Sequence, residues 1–314
     1  MKLSIPPPVK SSKLKIHVFC PACSLAGINI QATVEELAKY EFELILPEEM
    51  DFYHGYLAGT PQMRISHIDR LFKKDDVRIM MAGRGGFGSS HIINSLDYHS
   101  FKQNPKWIVG YSDVCFLLFK ILRETGIATI HGPMLIDFSH KPKSLPVIIS
   151  CLKKIIGGET ITYEFGSRAS LNTHPLPVFT EIKGWVIPAN LSILNDSLGT
   201  DYLPDLPRII LILEDVDEPL YRLERMLIHL THTPFINRIS AVILGKFTRL
   251  KKSKHKASFT ELAKGIFSQY GIHVFEGFPI GHASRNFPVL MGGAGILTIN
   301  PDRPQPFKLT VSPP

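Results

Sequence analysis

Lys106-Trp-Ile-Val-Gly-Tyr-Ser-Asp-Val-Cys-Phe-Leu-Leu118 contains an apolar strand at Trp107–Val109, a turn through Gly110 and Tyr111, and the start of an amphipathic helix running from about Asp113 to Thr125. A strand that feeds directly into a helix is the repeating unit of an α/β fold, and it places Ser112 where the chain leaves the sheet. The spacing has the form of a nucleophile elbow, with Val114 in place of the second glycine of G-x-S-x-G. Taken by itself, Ser112 reads as well as a helix N-cap, a position serine fills readily.

The same alternation extends upstream. Strands are expected at Lys15–Cys20, Glu43–Leu46 and Val77–Ala82, and helices near Gln31–Tyr40, Pro61–Phe72 and Ser89–Leu96. A short strand at Ala128–Ile130 follows the central unit. From Ser139 to about Pro177 the pattern loosens into Lys, Pro, Ser, Thr and Gly, with one helix-like piece at Leu145–Ile156, as in a domain connector. Beyond it, helices are expected near Leu191–Leu198, Tyr221–Thr231 and Phe259–Tyr270. The strands expected there are Arg208–Leu213, Ala241–Leu244, His273–Glu276, Gly295–Ile299 and Pro306–Val311. The fold class is therefore α/β: an N-terminal domain over 14–137 with a mostly parallel sheet, a connector over 138–177, and a smaller α/β domain over 178–314.

Composition bounds the function. A chain of 314 residues with 44% hydrophobic and 20% charged content can bury a sizeable core. No segment approaches the roughly 18 apolar residues of a membrane span, and MKLSIPPPVKSS has prolines where a signal peptide would carry its apolar stretch, so a cytoplasmic protein is expected. Cys20, Cys23, Cys115 and Cys151 are too few for a disulfide framework. The Cys20-x-x-Cys23 pair lacks the second ligand pair of a zinc site, so it reads as two small residues at a strand-to-turn junction. The net charge of +7 concentrates in Arg249-Leu-Lys-Lys-Ser-Lys-His-Lys256, which has no interleaved aromatics and reads as a solvated loop; nucleic acid is not expected as a partner. A basic surface suits a small anionic substrate.

Three further segments can carry chemistry. Gly83-Arg84-Gly85-Gly86-Phe87-Gly88 satisfies G-x-G-x-x-G, but it follows a late strand, and no acid stands about 20 residues on to hold a ribose. Glycines also let backbone N–H groups approach a ligand, as an oxyanion site requires. Ile209-Ile-Leu-Ile-Leu-Glu214-Asp215 ends a strand in acids, which either serve a site or favour the next helix through its dipole. Gly277-Phe-Pro-Ile-Gly281-His282 places one of 13 histidines just past a strand and a glycine turn.

Together, Gly-Arg-Gly-Gly-Phe-Gly-Ser, Leu-Asp-Tyr, Pro-Lys-Trp-Ile-Val-Gly-Tyr-Ser-Asp, His131-Gly132-Pro133-Met134, Leu-Glu-Asp and Pro-Ile-Gly-His resemble the LD-carboxypeptidase family, serine peptidase family S66. Ala58-Gly59-Thr60 with Arg64, Asn190-Leu191-Ser192, Gly199-Thr200 and Tyr221-Arg-Leu-Glu-Arg-Met226 fit in the same order, so the resemblance spans nearly the whole chain. Pro188-Ala189 departs from the family's Gly-Gly before Asn-Leu-Ser, and Met291 stands near a usual proline. The resemblance implies a triad of Ser112 as nucleophile, Glu214 as orienting acid and His282 as general base, split between two domains. Backbone amides of Gly86 and Asp113 are the expected oxyanion donors, and Arg84, Gly85 and Asn190 the expected substrate contacts.

The implied substrate is a murein peptide or another small peptide ending in a D-amino acid. The implied reaction is release of that residue, typically D-alanine from murein tetrapeptide, during cell-wall recycling. No cofactor, metal or membrane is called for, and a homodimer is compatible with this reading. The alternatives are a microcin-immunity-type peptidase acting on peptidyl-nucleotide toxins, which would carry an added aromatic loop, and a non-catalytic muropeptide- or nucleotide-binding module. The Thr160–Trp185 region shows no clear insertion, although Trp185 could supply such an aromatic group.

Overall fold

Short apolar runs separated by amphipathic ones produce two sheets, seen in a computed structural model that describes residues 2–48, 52–140, 143–167, 180–250 and 258–314. The first half contributes β1 (Leu14–Phe19), α1 (Gln31–Ala38), β2 (Phe42–Ile45), α2 (Pro61–Lys73), β3 (Ile79–Ala82), α3 (Tyr98–Gln103), β4 (Trp107–Gly110), α4 (Cys115–Thr125) and β5 (Thr129–His131). Then come α5 (Leu145–Ile156), β6 (Ile161–Phe165), β7 (Thr180–Asn190), α6 (Leu191–Ser197), β8 (Ile209–Val216), α7 (Leu220–Thr231) and β9 (Ile239–Thr248). The chain ends in α8 (Phe259–Ser268), β10 (His273–Glu276), β11 (Val289–Met291), β12 (Ala294–Ile299) and β13 (Phe307–Ser312).

The first sheet runs β11-β5-β4-β3-β1-β2, parallel except for β11, which pairs antiparallel with β5. Its strands are continuous apolar runs, as burial on both faces demands: every residue of β3, β4 and β5 is buried. The second sheet runs β10-β9-β8-β7-β12-β13-β6, parallel from β10 to β7 and antiparallel from β7 to β6. The molecule is thus a two-domain α/β protein with a mostly parallel N-terminal sheet and a mixed second one.

Local chemistry sets the helix ends. Thr60 caps α2 by accepting the Met63 N–H at 3.3 Å, with Pro61 opening the helix, and Ser258 and Glu261 form a reciprocal capping box on α8. Gly126 ends α4 in the left-handed region at φ 74°. α4 is buried along nearly its whole length, because one side packs on its own sheet and another meets α6 of the second half.

Several elements depart from expectation. The helix expected over Ser89–Leu96 is two short 3-10 turns, Ser89–His91 and Ile93–Ser95, broken at Ile92 with φ −120°. Ile92 and Ile93 are both fully buried, and one α-helical face cannot bury consecutive residues in the same direction. β7 is not among the expected strands, and it carries Pro188, a residue that cannot donate to a central ladder. Its ladder with β12 runs only to Trp185, so Pro188 pairs with β8 alone and loses no bond on the other flank. The stretch expected as connector carries α5 with the bounds expected for it, and also β6, the outermost strand of the second sheet. Residues 168–177 of that stretch, and 251–256 of the basic run, lie outside the described residues.

Candidate active site

The turn after β4 sets the site. Ser112 lies in the left-handed region at φ 60°, a conformation costing a non-glycine residue about 1 kcal/mol or more, and it begins the 3-10 turn Ser112–Val114 that leads into α4. Gly110 makes the sharp exit possible: a Cβ there would stand 2.7 Å from Val114 Cγ1. The packing thus needs glycine before the serine and accepts valine after it. The N-cap reading does not hold, since Ser112 caps no helix by its side chain and its hydroxyl instead faces an imidazole.

That imidazole is His282. Its Nε2 lies 3.1 Å from Ser112 Oγ, and its Nδ1 lies 2.8 Å from Glu214 Oε2. The carboxylate partner makes Nδ1 the protonated nitrogen, which leaves the Nε2 lone pair to accept from the serine hydroxyl. Burial depresses the His282 pKa, but the hydrogen bond and charge of Glu214 outweigh it and hold the imidazole above its ordinary 6.5. Glu214 is fully buried at the end of β8, and its second oxygen, Oε1, accepts from Asn190 Nδ2 at 3.1 Å.

The His282 turn is held by backbone bonds. Lys246 N–H donates to Ile280 O at 2.8 Å, Phe287 N–H to Pro279 O at 2.8 Å, and Gly281 N–H to Asn286 Oδ1 at 3.1 Å. Gly281 is at φ 116°, and a Cβ there would come within 3.0 Å of Glu214 Oε2. Only glycine lets the imidazole and the carboxylate approach this closely.

The glycine turn after β3 lies against the serine. A Cβ on Gly85 would stand 3.2 Å from Ser112 Oγ, and Gly86 at φ 108° packs on Cys23. Among the described residues neither the Gly86 nor the Asp113 amide donates a hydrogen bond. Two supports tie this turn down. Arg64, 2% exposed, donates from Nη1 to Pro21 O at 2.6 Å and to Gly88 O at 2.8 Å. Asp113 accepts from Ser89 N–H at 2.9 Å, and burial raises its carboxyl pKa.

Two expected substrate contacts are engaged elsewhere. Asn190 spends its amide on Glu214 and Asp215 and its carbonyl on the Ile193 N–H of α6. Arg84 donates from Nη1 to Ser24 O at 3.3 Å, which ties the glycine turn to the neighbouring loop. Cys20 lies behind Gly83, its thiol pushed up to about 12 by burial, and all four cysteines are free.

Sequence reading missed an aromatic and acidic layer behind the imidazole. The Tyr111 ring lies 4.8 Å from the His282 ring, and its hydroxyl donates to Asp137 Oδ1 at 3.0 Å. His131 is fully buried, with a T-shaped contact to Tyr111 and a pKa lowered by burial to about 3, so it stays neutral. The runs Gly-Tyr-Ser and His-Gly-Pro-Met were visible; that they meet is a consequence of β4 and β5 being neighbours.

A cavity of about 660 Å³ opens beside His282, walled by Tyr111, Ile136, Asp137, Phe138, Arg249 and Asn286 among others. A larger one of about 830 Å³, with Lys246 and Arg285 in its lining, includes none of Ser112, Glu214 or His282, so volume alone does not locate the chemistry. Trp185 lies in β7 against Arg208 and Ala294, outside the His282 cavity. No group of three or more His, Cys, Asp or Glu among the described residues has metal-binding geometry. No helix among them is long and apolar enough to cross a membrane.

Comparison with known proteins agrees along the chain. Residues 16–132 match the LD-carboxypeptidase N-terminal domain and residues 183–297 the LD-carboxypeptidase C-terminal domain. The murein tetrapeptide carboxypeptidase of Pseudomonas aeruginosa is 26% identical over 295 residues, covering 91% of this chain and 94% of the relative. The microcin C7 self-immunity protein MccF of Escherichia coli is 29% identical over 288 residues, covering 83% of each. The crystal structure of muramoyltetrapeptide carboxypeptidase from Oxalobacter formigenes superposes with a TM-score of 0.82 at 23% identity, covering 95% of this chain and 99% of the other, and so shares the fold.

Proposed function

The chain belongs to the LD-carboxypeptidase family, and from that premise we propose that it is a cytoplasmic serine carboxypeptidase that releases a C-terminal D-amino acid, D-alanine from murein tetrapeptide, by cleaving its amide to an L-centre. The observation that carries this reading is the continuous hydrogen-bonded line Ser112–His282–Glu214, with the glycine turn against the serine.

His282 Nε2 takes the Ser112 proton as Oγ bonds to the scissile carbonyl carbon. The carbonyl oxygen becomes an alkoxide held by the amides of Gly86 and Asp113, each such donor contributing about 2.7–4 kcal/mol in comparable sites. Glu214 keeps the imidazole in the tautomer that can accept the proton and stabilises the imidazolium that results. Collapse breaks the C–N bond, and the imidazolium protonates the departing amine. Water, deprotonated by the same histidine, then releases the acyl group from Ser112.

The relative of microcin-immunity type makes peptidyl-nucleotide cleavage the second reading. The position of Trp185 inside a central strand argues against its serving as that activity's aromatic contact. Incubating the pure protein with murein tetrapeptide and, separately, with an aminoacyl sulfamoyl adenosine tests both. Loss of one D-alanine detected by mass spectrometry supports the first reading, whereas cleavage of the sulfamoyl compound alone overturns it.

A further inference from the structure

Asp215 follows Glu214 directly and is 2% exposed, yet it takes no part in the line from serine to histidine. It is saturated with donors: Ser192 N–H at 2.9 Å, Ser192 Oγ at 2.7 Å, its neighbour Val216 N–H at 2.7 Å and Asn190 Nδ2 at 3.2 Å. Burial raises the Asp215 pKa, and the donors from Ser192 and Val216 oppose that rise by favouring the ionised carboxylate, which offers acceptors only. The Asn190 amide lies between the two acids. One side chain donates 3.1 Å to Glu214 and 3.2 Å to Asp215, while its oxygen accepts from Ile193 N–H. With an N–H on one side and two carboxylates on the other, the amide can take no other orientation.

The two consecutive acids reach one amide where the β8–β9 ladder is irregular. Alternation in a regular strand would send residues 214 and 215 to opposite faces. Here the register against β9 slips between Leu213 and Asp215, which pair with Leu244 and Phe247, while Asn190 stays level with Glu214 on β7. The extra residue of this bulge is on β9, between Leu244 and Phe247, so the irregularity falls opposite Glu214, the residue that faces His282.

We propose that Asp215 is a positioning residue of the site: acting through Asn190, it fixes the Glu214 carboxylate against His282 and places a second negative charge behind the imidazolium. The inference rests on the triad roles stated above. The alternative is that Asp215 merely holds the start of α6 through the Ser192 N–H. The charged groups that bear on His282 are Glu214 and Asp215 from the end of β8 and Asp137 from the segment after β5; Arg249 lines the same cavity, and Tyr111 and the neutral His131 lie behind.

The test uses the full chain and a fluorophosphonate probe, whose reaction with Ser112 needs the triad but no peptide substrate. Asp215→Asn should slow phosphonylation about tenfold or more and move the acid limb of its pH profile down by about half a unit, because one negative charge near the imidazolium is gone. Asn190→Ala should slow labelling similarly, and the double variant should be no slower than the slower single, since two residues acting in series couple. Ser192→Ala removes one of four donors and should slow labelling about two- to fivefold with near wild-type melting, which keeps the inference testable if Asp215→Asn does not fold.

Additive losses in the double variant, an unmoved acid limb, or wild-type labelling in Ser192→Ala would overturn the proposal and leave Asp215 as a helix anchor. Absence of labelling in the wild type would overturn it together with the triad. Normal labelling without D-alanine release would remove only the substrate assignment.

Discussion

Ser112 Oγ and His282 Nε2 meet at 3.1 Å although 170 residues separate them, one leaving the first sheet and the other the turn beyond β10 of the second. Neither half of the chain holds both groups. Ser112→Ala removes one oxygen from a partly exposed position, so the fold and melting temperature should stay near wild type while D-alanine release falls by about ten-thousandfold or more. Circular dichroism and a single-turnover assay check this. A folded Ser112→Ala variant with substantial turnover would exclude the serine mechanism.

The raised pKa of His282 fixes the sign of the pH dependence. The imidazole must be neutral to accept a proton, so kcat/KM should rise with pH through a limb lying above the ordinary 6.5. Stability runs the other way. A histidine whose folded pKa exceeds its unfolded one contributes stability that is full below 6.5 and is lost as pH climbs through the folded value. Glu214→Gln should shift the limb downward and lower kcat by about a thousand- to ten-thousandfold, read from pH-rate profiles of both proteins.

Adjacent glycines should fail in different ways. Gly85 is outside the left-handed region, and its missing Cβ leaves room beside Ser112 Oγ, so Gly85→Ala should change stability by less than about 1 kcal/mol while sharply lowering kcat. Gly86 sits at φ 108° against Cys23, so Gly86→Ala should cost about 2 kcal/mol or more in thermal unfolding.

Arg84 faces the Ser24 carbonyl, the geometry of a loop tie. Arg84→Lys should therefore change turnover of a free-acid tetrapeptide and of its C-terminally amidated analogue by the same factor. A loss confined to the free acid would instead make Arg84 the contact for the terminal carboxylate.

The sequence exposed those parts of the site whose chemistry is local. Gly110 before Ser112, the acid closing an apolar strand, and a histidine after a glycine turn each follow from strand-end geometry, and the structure brings all three together. What stayed hidden depends on neighbours set by topology. Asn190 lies level with Glu214 only because β7 and β8 are adjacent in that register, so the bonds of its amide to the two acids are not legible in the chain. Tyr111 behind His282 and Arg64 beneath the glycine turn were hidden likewise, since no spacing in the chain reports a contact across 171 or 24 residues. The paired 3-10 turns at residues 89–95 defeated the helical pattern because burial there is not one-sided.

Strand β11 belongs by sequence to the last tenth of the chain, yet it closes the edge of the first sheet against β5. A nascent chain emerging from the ribosome has made five of the six strands of that sheet long before residues 289–291 exist, and its β5 edge waits unpaired. His282 is synthesised only seven residues ahead of β11. The order of synthesis therefore delays both the sealing of the sheet and the arrival of His282 until residues 282–291 have been made, so a shorter nascent chain carries Ser112 without the imidazole that faces it.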